Sequence, residues 1–176
     1  MDVKSLTVLD DIIVGACRAV FEGAGAPLEQ TEATQRETDD IGASIGFTGT
    51  TLRGSLVLIS SKRLIKGVLP VAVGRGSESA QIADWMGELS NQTLGRIKNR
   101  LLAYGVTLEM STPTVLFGLS ISRRDTGSIV RREFSFRHGG ETLSVSLDAL
   151  ASPGFELSRN ESAIGAGVAE GEIALF

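Results

Sequence analysis

One uninterrupted stretch of helical periodicity, Ser79 to Tyr104 (SAQIADWMGELSNQTLGRIKNRLLAY), constrains the fold of this chain more than any other feature. At about 100° per residue, Asp84, Glu88, Asn91, Gly95 and Lys98 fall along one narrow polar line. Ile82, Met86, Leu89 and Ile97, flanked by Trp85 and Leu101, form an apolar band on the far side, as a helix seated on a core requires. The segment therefore predicts one long helix with a buried back and a polar edge in solvent. Within that edge Glu88 and Asn91 stand one turn apart, so a carboxylate and a primary amide reach the same patch of solvent. Such a pair can hold a water molecule or grip a partner, because the carboxylate attracts a cation while the amide both donates and accepts. Neither is a strong nucleophile, and the spacing alone suits an ordinary solvated face equally well. Gly95 costs roughly 1 kcal/mol against Ala in a helix interior, which points to a close approach at that turn. Arg96 and Arg100 fall toward the buried side and are expected to snorkel past the edge of the core.

Around this helix the chain alternates between two periodicities. Leu6 to Glu22 repeats apolar residues at helical intervals and stops at Gly23, Gly25 and Pro27. Thr31 to Asp40 is polar, and its residue types do not decide between a connection and an edge strand. Residues 41–47 and 52–60 are β-branched and apolar around Gly49-Thr50-Thr51, the pattern of a hairpin. A short helix is expected over Lys62 to Leu69, then a loop at Gly74-Arg75-Gly76-Ser77, where Ser77 or Ser79 can cap the long helix. Past Gly105, strands are expected at Val106–Met110, Thr114–Ser122, Ile129–Phe136 and Thr142–Leu147, with Pro113 marking a break and His138-Gly139-Gly140 a turn. This order implies an α/β fold of the α+β type: a mainly antiparallel sheet with two long helices packed on one face. Residues 1–150 are read as one domain and 151–176, rich in Gly and Ala, as a mobile tail whose apolar end, Ile173 to Phe176, could dock.

Composition narrows the chemistry. A net charge of −4 argues against a general nucleic-acid binder. One cysteine, Cys17, and one histidine, His138, leave no intramolecular disulfide and remove most metal and nucleophile–base schemes. No charged-then-apolar leader and no bilayer-length apolar run is present, so no membrane association is expected and the cytoplasm is the expected compartment. His138 reads as a surface turn residue, and Gly74-Arg75-Gly76 lacks the Lys-Ser or Lys-Thr pair of a phosphate loop. Arg123-Arg124 and Arg131-Arg132 read as edge-strand charges that discourage aggregation rather than as a basic patch. Asn91-Gln92-Thr93 and Asn160-Glu161-Ser162 match the glycosylation pattern only formally.

At Asp84-Trp85-Met86-Gly87-Glu88-Leu89-Ser90-Asn91 the sequence resembles the motif of the CheC, CheX and FliY class of chemotaxis phosphatases, in which Asp or Ser precedes Glu by four positions and Glu precedes Asn by three. The same helix continues with Gly95 and Lys98 and is followed by Ser111-Thr112-Pro113-Thr114-Val115 and Gly118, whose Pro and Gly resemble the segment after the motif helix in CheX-type members; Ile45 to Gly49 and Gly54 to Val57 look like the family's first hairpin. A single Glu-x-x-Asn motif is similar to the CheX type. The resemblance implies a protein substrate, the aspartyl phosphate of a response-regulator receiver domain. Asn91 would orient the attacking water, Glu88 would pair with a receiver lysine, and Asp84, Gly95 and Lys98 would border the docked partner. It also implies no cofactor of the chain's own, Mg²⁺ being held by the receiver, and a homodimer joined through its sheets. A non-catalytic adaptor that docks on receivers or flagellar-switch proteins, and a small-molecule sensor with a pocket between sheet and helices, are the rival expectations.

Overall fold

The computed structural model describes residues 1–32, 39–70, 77–119, 121 and 130–158. The chain opens with α1 (Val3–Gly23), which starts three residues before the apolar repeat because Asp2 caps it: its carboxylate accepts the Ser5 N–H at 2.8 Å. Those Ser5 hydrogen bonds also hold the Asp2 carboxyl below its ordinary range. One face of α1 buries Leu9, Ile12, Ile13, Ala16, Cys17, Val20 and Phe21.

Seven strands come next, interrupted by two helices: β1 (Glu29–Thr31), β2 (Asp39–Thr48), β3 (Leu52–Ser61), α2 (Lys62–Gly67), α3 (Glu78–Leu102), β4 (Glu109–Met110), β5 (Thr114–Leu119), β6 (Val130–His138) and β7 (Glu141–Ala151). They form one antiparallel sheet in the order β1-β6-β7-β3-β2-β4, with β5 pairing β2 beside β4. The undecided stretch near Thr31 thus supplies β1 at one edge and the start of β2 in the interior. Of the strand expected at Val106–Met110, only Glu109 and Met110 join a ladder; Val106 and Leu108 are buried without one.

Directly opposed residues of antiparallel strands share a face. Register sets Ala43 and Ile45 against Leu58 and Leu56, and these against Val145 and Leu147. All six are buried, and with Ile41, Phe47, Phe136 and Leu143 they form the floor on which the helices sit. β3 and β7 approach unusually closely at Gly54, where a Cβ would lie 1.9 Å from the Asp148 carbonyl oxygen, so only glycine fits.

Arg131 and Arg132 refine the sequence reading. They lie in β6 ahead of the Ser135–Arg137 stretch that pairs β1, so among the described residues only β7 flanks them, and what differs from the expectation is that neither charge is left to solvent. As neighbours on a strand they point to opposite faces. Arg132 reaches up to Asp10 of α1 through a two-pronged pair that raises the arginine's pKa, while Arg131 Nε donates to Asp148 Oδ1 at 3.0 Å on the other face. Both charges are absorbed by internal ion pairs. Arg123 and Arg124 lie outside the described residues, as does Gly74-Arg75-Gly76. His138 closes β6 beside the Gly139-Gly140 turn, with Nδ1 3.0 Å from the Pro27 carbonyl oxygen.

Packing also runs past residue 150. Ala151 ends β7, Phe155 and Leu157 are buried, and the Leu157 N–H donates to Ser5 Oγ at 2.8 Å. The first part of the expected mobile tail is therefore docked: two large apolar side chains are buried, and the backbone at Leu157 is tied to α1 through Ser5. Residues 159–176, with the apolar end and Asn160, lie outside the described residues.

Candidate functional site

The long helix forms as its periodicity demands, with its ends moved. The Ser77 hydroxyl caps it, accepting from the Ala80 N–H at 3.4 Å, and Glu78 begins the first turn. It stops at Leu102, two residues short of Tyr104, because the chain turns through Ala103 and Tyr104 to Gly105 at φ 71°. Ile82, Met86, Leu89, Ile97 and Leu101 are buried and Trp85 is half-buried, as the apolar band requires. Ser90, Thr93 and Leu94 widen that band, and the Thr93 hydroxyl donates a hydrogen bond to the Leu89 carbonyl oxygen at 2.7 Å. Arg96, expected against the core, is exposed. Arg100 is half-buried and crosses α1 at Gly15, where a Cβ would lie 2.2 Å from its Nη1. The absence of a side chain on Gly15 opens that exit.

On the opposite side the polar line is intact. Asp84 and Glu88 are exposed, and Asn91, Gly95 and Lys98 are half-exposed. Among the described residues no hydrogen bond or ion pair engages the Asn91 amide, Asp84 or Lys98. Glu88 is held: Gln92 Nε2 donates to its Oε1 at 2.7 Å. The sequence reading passed over Gln92, although its place one turn after Glu88 was the available signal.

Within the chain itself the close approach occurs at Gly87, one turn before Asn91, and not at Gly95. Gly87 is buried, and a Cβ there would meet Pro113 Cγ at 3.6 Å and Val115 Cγ2 at 3.7 Å. Nothing lies within 4 Å of a Cβ built on Gly95. The segment from Ser111 to Val115 thus runs along one bank of the polar line, anchored where Ser111 Oγ accepts the Gly46 N–H at 2.9 Å. Beyond it β5 exposes Leu116, Phe117 and Leu119, with Lys62 Nζ 4.9 Å from the Phe117 ring centroid.

Chemically, the line offers a carboxylate with one oxygen engaged, a primary amide facing solvent, and a rigid backing. No cluster of three or more His, Cys, Asp or Glu suited to a metal ion occurs among the described residues. No helix among them is long and apolar enough to cross a membrane. The thiol of Cys17 is fully buried and pushed up to about 12 by that burial, which removes it as a nucleophile.

Comparison with known proteins agrees with this frame. The family model described as chemotaxis phosphatase CheX matches residues 41–135. Among solved structures, the chemotaxis protein CheX from Vibrio vulnificus is similar at a TM-score of 0.71 and 18% identity, over 81% of this chain and 96% of that one. CheX from Desulfovibrio desulfuricans gives 0.68 and 18%, over 81% and 99%. The CheX–CheY–BeF3–Mg²⁺ complex from Borrelia burgdorferi gives 0.64 and 15%, over 79% and 96%. At these identities the likeness is one of fold. No curated protein matches. The family model spans more than half of the chain and includes the whole of α3 and its polar line, and on that ground the chain belongs to the chemotaxis phosphatase CheX family.

Proposed function

We propose that this chain hydrolyses the aspartyl phosphate of a CheY-like response-regulator receiver domain, with Asn91 and Glu88 as its working pair. The observation that carries the reading is the presentation of those two groups on one line of α3 whose back is buried under the sheet and α1. Family membership and the fold likeness to a CheX solved with CheY support the choice of substrate.

An acyl phosphate is already activated, so catalysis reduces to placing water in line with phosphorus and tolerating charge on the equatorial oxygens. In this reading the Asn91 side chain enters the receiver's site and its carbonyl oxygen accepts a hydrogen bond from the attacking water. The water oxygen bonds to phosphorus, the bond between phosphorus and the aspartyl oxygen breaks, and inorganic phosphate and the free aspartate carboxylate leave. Glu88 pairs with a cationic side chain of the receiver, a lysine, and fixes the angle at which α3 docks. Asp84, Gly95 and Lys98 border the contact. Mg²⁺ belongs to the receiver in this scheme, and the chain brings no cofactor of its own. A homodimer joined through the sheets, and a cytoplasmic location shared with the receiver, complete the proposal.

The test is the phosphate lifetime of the CheY-type receiver encoded in the same genome, with and without this protein. Faster phosphate loss that disappears in Asn91→Ala supports the reading. An unchanged lifetime despite binding would identify a docking adaptor instead.

A further inference from the structure

The hydrogen bond from Gln92 to Glu88 lies outside the roles just assigned, and it bears on how the docking carboxylate is used. We infer that Gln92 is a positioning residue: it holds one oxygen of Glu88 so that the other is presented, already oriented, to the cationic side chain of the receiver. The inference rests on the function proposed above.

The Gln92 amide donates to Oε1 at 2.7 Å, a short bond between two exposed side chains one turn apart. An exposed pair of this kind contributes little to a fold that already buries the apolar residues Ile82, Met86, Leu89, Leu94, Ile97 and Leu101 of α3, so its effect is local. Glu has three rotatable side-chain bonds, and a free exposed carboxylate samples many positions that a docked one must give up. Gln92 removes part of that freedom before the partner arrives. It also draws the carboxylate along the helix axis toward the turn that carries Asn91, since Gln92 comes directly after Asn91 in sequence. Oε2 is left to accept from the incoming cation, and the amide, being neutral, does not compete for it. A lysine or arginine at position 92 would compete, which gives the glutamine a chemical reason.

The experiment measures kcat and KM for the same-genome CheY-type receiver, phosphorylated with acetyl phosphate, using the parent, Gln92→Leu, Gln92→Lys, Glu88→Ala and the double variant Glu88→Ala/Gln92→Leu. Loss of preorganisation predicts that Gln92→Leu raises KM about three- to fivefold with kcat within about twofold of the parent. Gln92→Lys should raise KM at least as much, because its ammonium occupies the carboxylate. In the Glu88→Ala background Gln92→Leu should have no further effect. An unchanged KM in Gln92→Leu, or an equal effect of that substitution with and without Glu88, overturns the inference. Asn91→Ala, run alongside, separates the two levels. If it and Glu88→Ala keep parental turnover, the site itself is wrong; if they lose turnover and Gln92→Leu does not, only the role of Gln92 falls.

Discussion

Gly95→Ala should strengthen the fold and weaken the reaction, and this opposition of signs is what makes it informative. Gly95 sits inside α3, half-exposed, between Asn91 and Lys98 on the polar line. A Cβ there meets no atom within 4 Å, and the residue does not have a positive φ. Nothing in the chain itself therefore requires glycine, and Ala should recover its helix propensity, about 0.8–1 kcal/mol. For a protein of this size that corresponds to a rise in Tm of about 2–4 °C. If a receiver packs against this turn, the added methyl intrudes on a fitted contact at a cost of about 1–3 kcal/mol. Expressed as kcat/KM, the loss is roughly 5- to 150-fold. Thermal unfolding followed by circular dichroism reads the first quantity and phosphate release from a phosphorylated receiver reads the second. A stabilised variant with parental kcat/KM would refute the claim that the partner touches α3 at this point. A lowered Tm would show that the open surroundings of Gly95 are misread.

Two further outcomes test the frame that holds α3. Gly54→Ala should destabilise the sheet severely, by about 1–3 kcal/mol or more, because the clash is with the Asp148 backbone and no side chain can move aside; urea unfolding measures it, and a parental midpoint would contradict the close approach of β3 and β7. The Cys17 thiol, fully buried with its pKa pushed up to about 12, should react with a thiol reagent at pH 8 only when the chain unfolds globally, so rapid labelling of the native protein would contradict the packing of α1.

The elements that could be read in the sequence are those whose information is local. The period of Ile82, Met86, Leu89 and Ile97 is enough to seat α3, and the hairpin at Gly49-Thr50-Thr51 is a consequence of turn chemistry. The polar line with Glu88 and Asn91 came from the same periodicity. The misread elements depend on partners distant in sequence. Arg132 looked like a surface charge because its partner, Asp10, lies 122 positions away. Phe155 and Leu157 read as tail residues because their burial depends on distant parts of the chain, the Leu157 N–H being held by Ser5 at the other end. Gly87 and Gly95 carry the same helix penalty, and only the path of Pro113 and Val115 distinguishes the glycine that the chain itself crowds from the one it leaves open. No spacing rule distinguishes a solvated amide from one that will position a water, so the role proposed for Asn91 leans on the family resemblance rather than on its address on the helix.

The most direct test of the central claim is the turnover number of Asn91→Ala under saturating phosphorylated receiver. A group that acts by placing water in the transition state predicts a fall in kcat of about a hundredfold or more with KM little changed. A kcat equal to the parent's, in a variant whose circular dichroism spectrum and Tm match, would contradict the account.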